Sequence, residues 1–177
     1  MPKKFLSAQV LAGDLLAWWA RHGRCGIPWK LLPGGIRPSS EQELDPYGIW
    51  IAEVMLQQTQ LAVVLPYWTR WMEAFPTVEA LAAASLDQVR LQWQGLGYYA
   101  RARRLHDAAQ LLVGEPWPRT LQEWMALPGI GRTTAGSILS SAFNAPLPIL
   151  DGNVKRVLAR LMAHPRPPAR DDALFWC

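Results

Sequence analysis

Apolar residues recur at helical spacing in block after block, and no segment alternates with the period of two that marks a half-buried strand. The pattern predicts an all-α chain. An amphipathic block over 6–21 places Leu6, Val10, Leu11, Leu15 and Trp18 on one face. Residues 31–46 hold three prolines, two glycines and two serines and read as a loop. Helices are expected over 47–60, over 62–74 (with Pro66 inside) and over 78–84 behind Thr77. Ser85 and Gln88 have capping-box spacing and open 86–93, which Gly95 closes. A helix over 98–113 should end at Gly114. Thr120 and Glu123 form a second capping box, opening a short helix to Ala126. Leu127 to Gly131 is a tight turn, 132–143 is helical again, and another helix starts at Asp151 to Asn153 and runs to about 162. The rest of the chain is proline-rich, followed by the start of one more helix.

With 177 residues, 50% of them hydrophobic and 18% charged, the composition is that of a globular chain. The longest apolar stretches are cut by Asp14, Glu53, Gln57 and Gln58, so no membrane span is predicted, and no secretory leader is recognisable. An intracellular protein with reduced thiols is expected, in cytoplasm or nucleoid for a bacterial source. Cys25 and Cys177 are too few for a disulfide scaffold or a four-thiolate metal site. The net charge of +4 lies wholly after residue 100, where ten Lys and Arg face six Asp and Glu. The groups Arg101, Arg103, Arg104 and Lys155, Arg156, Arg160 suit an anionic partner such as nucleic acid, and equally a solvated helix face.

Four features could carry chemistry. Pro128-Gly129-Ile130-Gly131 joins two short helices, making a helix–hairpin–helix over about 121–143. The amides that open the second helix, with Arg132, Thr133 and Thr134, could hold a phosphate; a plain helix corner explains the turn as well. Glu53 sits in Trp50-Ile-Ala-Glu-Val-Met-Leu56. In a dry pocket such a carboxyl keeps its proton and can act as a general acid; on the stripe shared with Gln57 and Gln60 it would be solvated. Asp151 precedes a helix and is an N-cap candidate, a role compatible with an anion that steadies a cation in a reaction. A protonated acid paired with a carboxylate is the logic of glycosidic bond cleavage. Finally, Gly95-Leu-Gly-Tyr98-Tyr99-Ala-Arg101 sets aromatics and arginines at a glycine turn, which suits a DNA backbone contact with an aromatic wedge, or a basic solvated helix. His106 and His164 have no ligand-spaced partners, and His22 with Cys25 is a poor metal pair. Trp50, Trp68, Trp71 and Trp93 fit core faces.

Taken together, Ile27-Pro-Trp29, Pro46 through Trp50, Ala52 through Thr59, Trp93 through Arg103, Leu127 through Arg132 and Ile149 through Val157 resemble the adenine DNA glycosylases of the helix–hairpin–helix superfamily. The pieces occur in that family's order and span most of 27–160. The resemblance implies hydrolytic removal of adenine mispaired with 8-oxoguanine or guanine in double-stranded DNA, by a monomer. Glu53 would be the acid, Asp151 the carboxylate that steadies the sugar cation, and Asn153 its neighbour that positions water or sugar groups. Gln58 and Tyr98 would wedge into the stack while adenine is flipped out. Arg101, Pro128, Gly129, Gly131, Arg132 and Lys155 would contact DNA. Sister enzymes with a strand-cutting lyase activity use a lysine where Thr133 stands, so a monofunctional enzyme is implied. A bifunctional pyrimidine glycosylase/lyase, a catalytically inactive DNA-binding fragment and a helical domain with no nucleic-acid role are the alternatives.

The resemblance further implies a six-helix lobe at about 46–158. An iron–sulfur cluster lobe would be built from 1–45 and from residues after 158. The four cysteine ligands of its [4Fe–4S] cluster would follow the region ending at Cys177, so that lobe is expected to be truncated, with Leu11, Leu15 and Trp18 uncovered. The loop 31–45 is longer than the family norm.

Overall fold

The computed structural model describes residues 7–167 and 172–176. Its regular elements are helices: α1 (Ala8–His22), α2 (Pro46–Leu56), α3 (Leu61–Ala74), α4 (Val78–Ala83), α5 (Leu86–Trp93), α6 (Ala100–Leu112), α7 (Leu121–Ala126), α8 (Arg132–Phe143), α9 (Gly152–Leu161) and α10 (Asp172–Phe175). The all-α expectation holds for the described residues. Both capping boxes form as read from their spacing, Ser85 with Gln88 and Thr120 with Glu123, and each supplies acceptors for two otherwise orphaned amide donors. Asn144, in the left-handed region at φ 54°, stops α8.

Two boundaries differ from expectation in a way that matters for function. The helix expected over 47–60 ends at Leu56, because Gln58 turns the chain back at φ 61° and Gln60 opens α3. The helix expected to open at 98 begins at Ala100, because Tyr98 sits at φ 49°. Neither residue is a glycine, so the sequence carries no local signal for these left-handed turns. Between Pro28 and Ile36, two short 3₁₀ turns and a Leu32–Ile36 bridge shape the long loop. The loop is tied down by Leu44, whose amide donates to the Ala142 carbonyl, and by a 2.7 Å ion pair between Glu43 and Arg119.

Helix α2 is the axis of the fold. Nine of its eleven residues are buried, from Pro46 to Met55, which is why its sequence reads as apolar all round. It packs against α3, α6 and α8. Tryptophan supplies the bulk of the core: Trp50, Trp71, Trp93 and Trp124 are fully buried. Trp50 meets Trp124 and Trp117 at tilted and edge geometries, and Trp71 meets Trp93 edge-on, the arrangements aromatic quadrupoles prefer. Trp68 is half-buried and donates its indole N–H to the Gly48 carbonyl. A second, small cluster gathers Leu150, Ala159 and Phe175. Helix α1 buries none of its residues, and Leu15, Leu16, Trp18 and Trp19 are each more than half exposed.

Candidate active site

The C-terminal part of α2, the hairpin and the start of α9 converge on one groove of about 970 Å³. Glu53, Gln58, Asp151 and Asn153 all line it, as do Thr133 and Ser137 from α8 and Arg24 from the segment after α1. Residues nearly a hundred positions apart in sequence thus share one wall-to-wall space.

Glu53 is the one residue between Pro46 and Met55 of α2 that is not buried. Burial pushes its carboxyl above the ordinary carboxylate range, because a charge there loses its hydration. Two neighbours pull it partly back: the Ser137 hydroxyl hydrogen-bonds to it, and the positive charge of Lys30 favours the anion. Glu53 is partly buried at the wall of the groove, and the direction of its shift is the one that the general-acid reading requires. Gln57 leaves that stripe altogether. Its side chain donates to the Thr134 hydroxyl at 3.2 Å and to the Gly129 carbonyl at 3.4 Å, joining the end of α2 to the hairpin.

Asp151 caps α9. Its Oδ1 accepts from the amides of Asn153 at 2.9 Å and Val154 at 2.8 Å, and the Asn153 side-chain amide donates to its Oδ2 at 3.4 Å. Both side chains remain exposed to the groove. Arg156 donates to the Asn153 side-chain carbonyl, so an arginine one turn along α9 orients that amide. Thr133 donates its hydroxyl to the Leu150 carbonyl at 3.1 Å, which ties the opening turn of α8 to the strandless segment that delivers Asp151.

In the hairpin, Pro128 is half-buried while Gly129 and Gly131 are exposed. Gly129 lies at φ 80°, where a side chain is strained, and a Cβ there would stand a close 3.1 Å from the Arg104 Cβ and Cδ. Gly131 is the N-cap residue of α8 and leaves the first amides of that helix without a side-chain cap. Arg132 is exposed and lies 4.1 Å from the Trp176 ring centroid, and Lys155 is half-buried in the first turn of α9.

Gln58 and Tyr98 project from the two left-handed turns, and Tyr98 is 65% exposed. Arg101 is placed differently from expectation. It was expected as a DNA contact, but it is only 6% exposed and its guanidinium donates to backbone carbonyls at 3.0–3.3 Å, those of Met55, Val54, Leu96 and Gly97 among them. Its position in the first turn of α6, which packs against α2, takes it out of solvent. The neighbouring Arg103 and Arg104 are the exposed members of that basic group.

Arg24, Ser137 and the role of Gln57 were not read from the sequence. Ser137 had a signal: it falls four residues after Thr133 and three after Thr134, on the same face of α8. Arg24 had none, since only the tertiary fold brings its loop to the groove.

Residues 51–173 match the model of the HhH-GPD superfamily of base excision DNA repair proteins. The chain belongs to that superfamily. It is 46% identical over 164 residues to the adenine DNA glycosylase of Homo sapiens, covering 88% of this chain and 29% of the human protein. It is 41% identical to the adenine DNA glycosylase of Buchnera aphidicola subsp. Baizongia pistaciae, covering 88% of this chain and 42% of that one. The chain thus spans well under half the length of these relatives. Among solved structures, a trapped endonuclease III–DNA covalent intermediate superposes with a TM-score of 0.68 at 26% identity, over 86% of this chain and 68% of that one. A thermostable thymine-DNA glycosylase superposes with a TM-score of 0.78 at 21% identity, over 94% and 74%, and so shares the fold.

Proposed function

We propose that the groove excises adenine from double-stranded DNA, at mispairs with 8-oxoguanine or guanine, by hydrolysis of the N-glycosidic bond. The observation that carries this reading is the pairing in one groove of a half-buried acid, Glu53, with a capped carboxylate, Asp151. The similarity to proteins named adenine DNA glycosylase supports the choice of base.

A stacked base is out of reach of an enclosing pocket, so adenine must first leave the helix. Gln58 and Tyr98 project from neighbouring turns and fill the stack as it leaves. The uncapped amides at the start of α8 hold a backbone phosphate, aided by the cationic Arg132. In the groove, Glu53 delivers its proton to the adenine ring and turns the base into a neutral leaving group. The bond to C1′ of the sugar breaks with its electron pair going to the base. Asp151 faces the resulting oxocarbenium-like sugar, and Asn153, fixed by Asp151 and Arg156, orients the sugar or the attacking water. Water adds at C1′ and releases a proton, leaving an abasic site.

Thr133 has its hydroxyl on the Leu150 carbonyl, so the position at which the lyases of the resemblance carry a lysine offers no amine for a Schiff-base route. The iron–sulfur cluster that the resemblance carries does not fit these residues. The chain has two cysteines; Cys25 is exposed and donates to the Gly23 carbonyl, and Cys177 lies outside the described residues. Among the described residues, no three His, Cys, Asp or Glu side chains gather as a metal site. Nor is any described helix long and apolar enough to cross a membrane.

The test uses the 177-residue chain with a duplex carrying one A:8-oxoguanine pair, under single-turnover conditions, with alkali to reveal abasic sites. Adenine release is expected, without an adduct trapped by borohydride, and Glu53→Gln should bind the duplex and release no adenine. Normal release by Glu53→Gln, or a borohydride adduct with strand cutting, overturns the reading. Binding without release by the parent chain makes it a DNA-binding module.

A further inference from the structure

We propose that Arg101 is a positioning residue that fastens the turn bearing Gln58 to the turn bearing Tyr98, so that the two side chains move as one rigid pair. The geometry is specific. One guanidinium nitrogen of Arg101 donates to the carbonyls of Val54 and Met55 at 3.1 and 3.0 Å and to the Gln57 carbonyl. The other donates to the Leu96 and Gly97 carbonyls at 3.2 and 3.3 Å and to the Thr59 hydroxyl at 3.4 Å. The Gln57 carbonyl belongs to the peptide unit that enters Gln58, and the Gly97 carbonyl to the one that enters Tyr98. A single buried cation therefore grips the peptide immediately before each of two left-handed, non-glycine residues, at φ 61° and φ 49°.

Such backbone conformations persist only where the surroundings over-determine them. Neither turn has a glycine at the strained position, and Arg101 supplies bonds to both sides. The planar fork is needed for this: a guanidinium presents donors in two fixed directions, whereas an ammonium is a point charge with three donors on one atom. The Trp93 and Tyr98 rings complete the seat, at 5.2 and 5.5 Å from the guanidinium carbon. Tyr98 thus takes part in its own fixing. Because Val54 and Met55 close the helix that bears Glu53, the same cation also caps the C-terminus of α2. Its position relative to the acid and to both probes is set by one side chain. What the two probes enter rests on the proposed function; the clamp itself rests on the bonds above.

The test is amide hydrogen exchange on the 177-residue chain, comparing the parent with Arg101→Lys and Arg101→Met. Loss of the fork should raise exchange at 57–60 and at 96–100 together, by tenfold or more in Arg101→Met and by less in Arg101→Lys. Exchange in α4 and in α8 beyond its first turn should stay unchanged. Loosening at 57–60 alone would show a helix cap and nothing more, and overturns the proposal, as does no change at either turn. Should Arg101→Met fail to fold, Arg101→Lys carries the same test. A second readout is 2-aminopurine fluorescence beside the mispaired adenine. With Arg101 present, Gln58→Ala and Tyr98→Ala should each lower base extrusion nearly as much as the double variant; in Arg101→Lys the two losses should multiply. Multiplying losses in the parent overturn the proposal. A chain that couples the two turns in exchange yet binds no DNA keeps the clamp and sinks the proposed function.

Discussion

In the proposed mechanism Asp151 does two jobs with one carboxylate, and two substitutions separate them. Asparagine is as good an N-cap as aspartate, so Asp151→Asn should keep the bonds to the Asn153 and Val154 backbone amides, now 2.9 and 2.8 Å long, and remove the charge together with the long 3.4 Å bond from the Asn153 side chain. Alanine removes both, and loss of such a cap costs about 1 kcal/mol, roughly 2–4 °C in Tm for a chain of this size. Asp151→Asn should therefore melt with the parent and Asp151→Ala a few degrees below it. For catalysis, a carboxylate about 4 Å from a sugar cation contributes about 1 kcal/mol in bulk water and about 4 kcal/mol at the effective dielectric of a protein surface. A flipped base seated in the groove displaces water and moves the site toward the larger figure. The rate of adenine release should fall by about a thousandfold in both variants. The assay is single-turnover excision at saturating enzyme, alongside differential scanning calorimetry. If Asp151→Asn works within about fivefold of the parent, its charge is not what steadies the cation. If Asp151→Asn also melts low, the two roles are not separable as drawn.

Other outcomes follow from the same geometry. The Glu53 carboxyl is raised by burial, so its folded form favours the proton; the stability this contributes is full below the ordinary carboxylate range and is lost as pH rises through the raised value. Glu53→Gln, which mimics the protonated state, should therefore match the parent at about pH 4 and exceed it in Tm at neutral pH, and equal melting at both pH values would refute the burial argument. The Ser137 hydroxyl favours the anion, so Ser137→Ala should move the alkaline limb of the excision profile to higher pH, with little change on the acid side. Gly129→Ala meets both a positive φ and the Arg104 stem, and should lower stability by about 1–2 kcal/mol and weaken DNA binding, read by thermal melting and by fluorescence anisotropy.

Helix periodicity, capping boxes and turn residues make most of the helical layout legible in the sequence, because those signals are local. The two capping boxes and the Gly129 turn landed where their spacing put them. Glu53 stood out because a carboxylate interrupts an otherwise apolar helix, and Asp151 because it precedes one. The turns at Gln58 and Tyr98 were hidden, since residues without a glycine's freedom adopt those conformations only under tertiary constraint. The burial of Arg101 is hidden for the same reason: an arginine in a basic cluster reads as solvated, and only the packing of α6 against α2 buries it under the carbonyls it serves. What the sequence by itself determined was the list of elements and the residue types able to hold a proton, a charge or a phosphate. What the tertiary structure alone decided was which of them meet. The hydration that Glu53 loses, the cap that Asp151 forms and the two turns that Arg101 joins all depend on neighbours distant in the chain, and no local pattern records those distances.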